Sequence, residues 1–160
     1  MIQLIRVDER LLHGQVAYSW KAQLAYQAIV IASDNAAEDD LRRATIKLAC
    51  PPDVKLAVRS TTKAAELLNN PKLASMKVFA ICENVATLYA LLPLLNEKPS
   101  INLGGQGKSN GRSEFSPALY LSEEDKVKLD DLLKKGYSIT VQQTPAEKRQ
   151  SYDNIRRREL

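Results

Sequence analysis

Histidine is almost absent from this chain: among 160 residues there is one, His13. Cysteine is nearly as scarce, and Cys50 and Cys82 stand far apart in apolar surroundings. One imidazole and two separated thiols leave a zinc site to be built mainly from carboxylates, so no metal is expected. The same spacing reads as two buried thiols in a reducing compartment rather than as a disulfide. Long apolar runs are missing too. Polar residues interrupt each one, and nothing approaches the ~20 apolar residues of a membrane span. No cationic leader precedes a long apolar stretch, and Ile2–Val7 reads as a strand, so no secretion signal is expected and the cytoplasm is the expected location.

Charge is present in both signs, with a modest net of +4. Half of that excess falls in residues 145–160, where Lys148, Arg149 and Arg156–Arg158 face Glu147, Asp153 and Glu159. No aromatic–basic platform accompanies this tail, so it reads as a solvated terminal helix and no nucleic-acid partner is expected. A content of 44% hydrophobic and 26% charged residues is that of an ordinary globular protein, and the length fits one domain over 1–160.

What the chain does have is a regular alternation of short apolar runs and amphipathic stretches. Strands are expected at Ile2–Val7, Ala28–Ala32, Val54–Val58, Lys77–Cys82, Ser100–Leu103, Ala118–Leu121 and Tyr137–Gln142. Helices are expected over Gln15–Ala25, Ala37–Ala49 (stopped by Pro51-Pro52) and Lys63–Asn69, with a further one that Asn84 caps and Pro93 ends. Another runs from a capping box, Ser122 to Asp125, as far as Lys135, with Gly136 at its left-handed end. Such alternation predicts an α/β single domain with an open, mainly parallel sheet of six to seven strands and helices on both faces.

Two segments hold candidate chemistry. In the glycine-rich loop 104–113, Gly107-Lys108-Ser109 looks like the end of a phosphate-binding Walker A loop. The required glycine five residues earlier is Asn102, however, and Asn110-Gly111 and Pro117 continue the loop where a helix should begin. A nucleotide is therefore not expected. The other segment, Arg6-Val-Asp-Glu-Arg-Leu-Leu-His13-Gly-Gln-Val16, lies at a strand-to-helix turn, where helix amides meet ligands in α/β proteins. His13 there is either a partly buried residue closing a turn or a group performing proton or phosphoryl chemistry. A neutral imidazole is a nucleophile, and Arg6, Arg10 and helix amides would stabilise a phosphoryl group carried on it. Asp8 could accept a ring N–H and so fix which nitrogen is free. Glu9 reads as a solvated side chain.

The segment Arg6–Val16 resembles the phosphorylation-site segment of EIIB subunits of the mannose–fructose–sorbose class of the bacterial sugar phosphotransferase system. Trp20, Ser33-Asp34, Pro51-Pro52 and Ile101-Asn102-Leu-Gly104-Gly105 extend the resemblance over most of the chain. Two positions differ from that pattern: Ser33 stands where the class has Asn, and Ser109 where it has an arginine, with Arg112 near.

The resemblance implies that His13 takes a phosphoryl group on Nδ1 from phospho-EIIA. It would then pass the group to a sugar held by membrane EIIC and EIID, needing no cofactor and lying peripheral to the membrane. It implies catalytic roles for His13, Arg10 and Asp8, with Arg6, Gly14, Gln15, Asp34, Gly104 and Gly105 around the phosphate. A regulatory phosphoprotein of the same fold, uncoupled from transport, is the alternative. A homodimer is compatible with either.

Overall fold

The computed structural model describes residues 1–159. Along the chain run β1 (Ile2–Val7), α1 (Gly14–Leu24), β2 (Ala28–Ala32), α2 (Asp34–Ala37), α3 (Asp40–Ala49), β3 (Lys55–Arg59), α4 (Thr61–Leu68), α5 (Pro71–Ala74) and β4 (Val78–Cys82). There follow α6 (Val85–Leu91), β5 (Ile101–Leu103), β6 (Arg112–Ser116), β7 (Leu119–Ser122), α7 (Glu123–Lys134), β8 (Ile139–Val141), β9 (Gln150–Ser151) and α8 (Tyr152–Arg158).

Seven strands form one sheet in the order β3-β2-β4-β1-β5-β8-β9, parallel throughout except for the terminal β9. β2 and β4 are buried at every position, as unbroken apolar runs in a doubly covered parallel sheet should be. One face packs under α4, α6, α7 and α8, through side chains such as Leu68, Leu88, Leu129 and Tyr152. The other packs under α1 and α3, through Val16, Trp20 and Ile46.

β1 lies between β4 and β5. From β1 the chain crosses to β2 on one side, and from β5 it proceeds to β8 on the other. The C-terminal ends of β1 and β5 therefore flank a crevice where the connections diverge, the usual ligand position in open α/β sheets.

Several expected elements differ in the structure. The helix expected over Ala37–Ala49 begins at Asp40 as α3, capped by Asp39, and a separate short helix, α2, capped by Ser33, precedes it; each cap accepts a backbone N–H. Two such caps in close succession start two helices rather than one. The strand expected at Ala118–Leu121 does form, but outside the main sheet. It pairs antiparallel with β6, whose first two residues, Arg112 and Ser113, were expected to be loop. Arg-Ser-Glu-Phe-Ser carries little strand propensity; it is held by Phe115, which stacks on Tyr152 at 5.1 Å between ring centroids. Among the described residues, no helix covers the face of β5 and β8 beside α1. That face forms a cleft of about 440 Å³ lined by Gln3, Trp20, Asn102, Thr140, Gln142 and Arg149, among others. The capping box of Ser122 and Asp125 and the left-handed Gly136 (φ +91°) are as expected.

Candidate active site

The turn between β1 and α1 is built from the inside. Asp8 continues the β1 ladder by donating its amide to the Cys82 carbonyl at 2.9 Å. Its carboxylate, fully buried, accepts the Arg10 amide at 3.0 Å, and its carbonyl accepts the Leu11 amide at 2.9 Å. Leu11 adopts φ +58°, a left-handed conformation costly for a leucine, and is held there by complete burial. Leu12 is buried beside it, so the turn stands on two apolar anchors.

This geometry places His13 as the N-cap of α1 with extended backbone (φ −140°, ψ 157°) and no capping bond from its side chain. The first helical bond is the Ala17 amide to the His13 carbonyl at 2.9 Å. The amides of Gly14, Gln15 and Val16 thus precede the helical ladder, at the positive end of the helix dipole. The His13 side chain is 26% exposed, and its Nε2 lies 3.4 Å from Asp8 Oδ2.

The same Asp8 oxygen accepts from Arg6 Nε at 3.3 Å and Nη2 at 3.1 Å. Burial by itself would raise the Asp8 pKa. The His13 hydrogen bond, the Arg6 charge and the Arg10 amide together outweigh it and hold the carboxyl below its ordinary value. Burial pulls Arg6 below the ordinary guanidinium value, against the opposing attraction of Asp8. Arg10 stays at the surface, with 54% of its side chain exposed and Nε 3.4 Å from Asp8 Oδ1.

Residues 2–159 match the family model for the sorbose subfamily IIB component of the PTS system. The chain belongs to this family. The sorbose-specific EIIB component of Lacticaseibacillus casei is 32% identical over 139 residues, covering 87% of this chain and 85% of that one. The mannose-specific EIIAB component of Escherichia coli K12 is 30% identical over 141 residues, covering 88% of this chain and 44% of that longer protein. The crystal structure of the IIBSor domain of the Klebsiella pneumoniae sorbose permease superimposes with a TM-score of 0.93 at 26% identity, covering 100% and 98% of the two chains. The chain is thus an EIIB of the sorbose/mannose class, a component of the sugar phosphotransferase system.

In this IIB component the sequence-expected phosphate residues divide into two groups. His13, Arg10, Gly14 and Gln15 share the mouth of the turn. Arg6, in contrast, is fully buried, with Nη1 donating to Asn102 Oδ1 at 2.6 Å and to the Gln142 carbonyl at 3.1 Å, while the Trp20 ring lies 5.5 Å from its Cζ. It supports Asp8 and offers nothing to a surface phosphate. Gly104 serves Arg6: its amide goes to the Val7 carbonyl at 2.8 Å, and a Cβ there would sit 2.3 Å from Arg6 Cζ. Gly105 borders the mouth, since a Cβ on it would lie 3.2 Å from Arg10 Nη2 and 3.5 Å from Asp8 Oδ1. Asp34 is a tie between neighbouring turns, its Oδ1 accepting the Thr61 amide at 2.8 Å.

Three contributions escaped the sequence reading. Asn102 stands in the sequence as the residue that breaks the Walker pattern and as part of a strand end, and Trp20 as part of the resemblance; nothing local shows that both meet Arg6. Glu9, expected in solvent, accepts the Gly107 amide at 2.5 Å. No helix among the described residues is long and apolar enough to cross a membrane.

Proposed function

We propose that His13 accepts a phosphoryl group from a phosphohistidine on EIIA and transfers it to a sugar held by the membrane EIIC and EIID subunits, with the protein stationed at the inner membrane face. The observation that supports this reading best is the placement of His13. It is a part-exposed N-cap residue with one ring nitrogen directed at a buried carboxylate.

With Nε2 carrying the proton toward Asp8, Nδ1 holds the lone pair and is the nucleophile. The Nδ1–P bond forms as the donor's N–P bond breaks, and the electron pair of that bond returns to the donor imidazole. The positive charge that develops on the His13 ring falls beside the Asp8 carboxylate. The phosphoryl oxygens fall within the field of the Gly14 and Gln15 amides and of Arg10, groups oriented before the reaction begins. Transfer to a sugar hydroxyl reverses the sequence at His13: the Nδ1–P bond breaks as the sugar O–P bond forms, its electron pair returns to the His13 imidazole, and the hydroxyl proton passes to solvent water. The natural fusion named EIIAB in the E. coli relative supports EIIA as the donor.

Phosphotransfer from phospho-EIIA with ³¹P NMR detection tests this reading. The expected product is an acid-labile phosphohistidine in the wild type and none in His13→Ala. Asp8→Asn should slow transfer by roughly a hundredfold, because the amide no longer fixes the tautomer or balances ring charge. A His13→Ala protein that still takes up phosphate refutes the reading.

A further inference from the structure

The glycine-rich loop is pinned to the turn between β1 and α1. Glu9, the residue before Arg10, donates its amide to the Gly105 carbonyl at 3.0 Å. Its carboxylate reaches across to accept the Gly107 amide through Oε1 at 2.5 Å. The loop backbone approaches so closely that a Cβ on Gly107 would lie 2.6 Å from Glu9 Oε1. Arg112, at the start of β6, closes the arrangement: its Nη1 donates to the Gly107 carbonyl at 3.3 Å and lies 3.9 Å from Glu9 Oε2. From the other side, Arg42 of α3 donates to the Glu9 carbonyl at 3.3 Å while its Nη1 sits 3.5 Å from Glu83 Oε2. Glu9 is thereby gripped at its amide, its carbonyl and its carboxylate.

We propose that Glu9 is a positioning residue for phosphoryl transfer, its carboxylate latching the 104–111 loop against the active turn. This rests on the reading of His13 as the phosphoryl carrier. The consequence passes through Gly105, whose backbone forms the wall beside Arg10 Nη2 and Asp8 Oδ1. When the Glu9–Gly107 bond is lost, Gly105 keeps its backbone bond to the Glu9 amide but loses the restraint two residues further on, and the wall that directs the Arg10 guanidinium toward the phosphoryl group loosens. The hydrogen bond matters more than the ion pair. Glu9 and Arg112 are 3.9 Å apart with Glu9 45% exposed, a geometry in which Coulomb attraction is worth little. The amide-to-carboxylate bond is short and charge-assisted. Arg112, bonded to the Gly107 carbonyl, serves the loop rather than the phosphate.

The experiment pairs Glu9→Ala with Glu9→Gln in the full chain and reads two quantities. One is hydrogen exchange at the Gly107 amide by NMR; the other is kcat and KM for transfer from phospho-EIIA. Glu9→Ala is expected to expose the Gly107 amide and lower kcat by about tenfold, the scale of a small misplacement of a directing group, while KM and Tm hold. Glu9→Gln, whose side-chain oxygen accepts the same N–H, should restore protection and most of kcat. An unchanged kcat in Glu9→Ala, a change confined to KM, or a Glu9→Gln protein as slow as Glu9→Ala overturns the proposal. If the wild type takes up no phosphoryl group, the His13 reading fails instead, and the Gly107 exchange rates still report whether the latch exists.

Discussion

Arg6 Nη1 and Asn102 Oδ1 meet at 2.6 Å beneath the site, joining two side chains that are 96 positions apart in the chain. Both are essentially inaccessible to solvent. Arg6 passes the contact on to Asp8, and Asp8 to His13, so that the orientation of the surface imidazole is set from the interior of the sheet. Asn102 is held in turn, its Nδ2 donating to the Gln142 carbonyl at 3.0 Å.

Asn102→Ala should therefore do more than remove one bond. It leaves part of a buried guanidinium without an acceptor, at an expected cost of about 1–3 kcal/mol in stability. Urea denaturation measures the loss. Transfer to His13 should also slow, because Asp8 loses one of the supports on its arginine.

Glycine positions near the site should respond in opposite ways. Gly104→Ala puts a methyl group 2.3 Å from Cζ of the fully buried Arg6, whose bonds to Asp8 and Asn102 must shift to admit it. A destabilisation of roughly 1–3 kcal/mol is expected, typical of overpacking. At Gly14, the first residue of α1, a Cβ meets nothing within 4 Å, so Gly14→Ala should be neutral or slightly stabilising. Equal losses at both positions by chemical denaturation would contradict this account.

Acid should act on the site through Asp8. Its carboxyl titrates lower in the folded protein than the ordinary value near 3.8. The stability it contributes is complete above that unfolded value and is lost as pH falls through the lower folded one. Stability followed by urea unfolding should therefore decline below about pH 4. Asp8→Asn should remove that component of the decline while lowering stability at neutral pH, where the wild-type carboxylate balances Arg6.

The parts of this molecule governed by local rules were legible in the chain. β2 and β4 are uninterrupted apolar runs, Ser122 and Asp125 make the expected capping box, and Gly136 sits where a helix ends. The turn of the candidate site was legible for the same reason, since Asp8, Arg10 and His13 lie within six consecutive residues. The two-stranded hairpin was only half visible. Its first strand, Arg112–Ser116, has few strand-forming residues and depends on Phe115 finding Tyr152.

By itself, then, the sequence determined the alternation of strands and helices, the family, and the turn that presents His13. The alternation and the turn follow from periodicity, capping and short-range spacing, which act over a few residues; the family follows from the resemblance that the Arg6–Val16 segment carries. Only the tertiary structure decided that Arg6 is a buried support rather than a phosphate ligand, that Gly104 exists to make room for it, and that Glu9 holds the loop at Gly107. Those roles depend on contacts such as Arg6–Asn102 and Glu9–Gly107, separated by 96 and 98 positions. Strand order brings β1 beside β5, and no local pattern carries that information. The physical reason is that burial and partnership, not residue type, decide whether an arginine meets solvent or a glutamate is free.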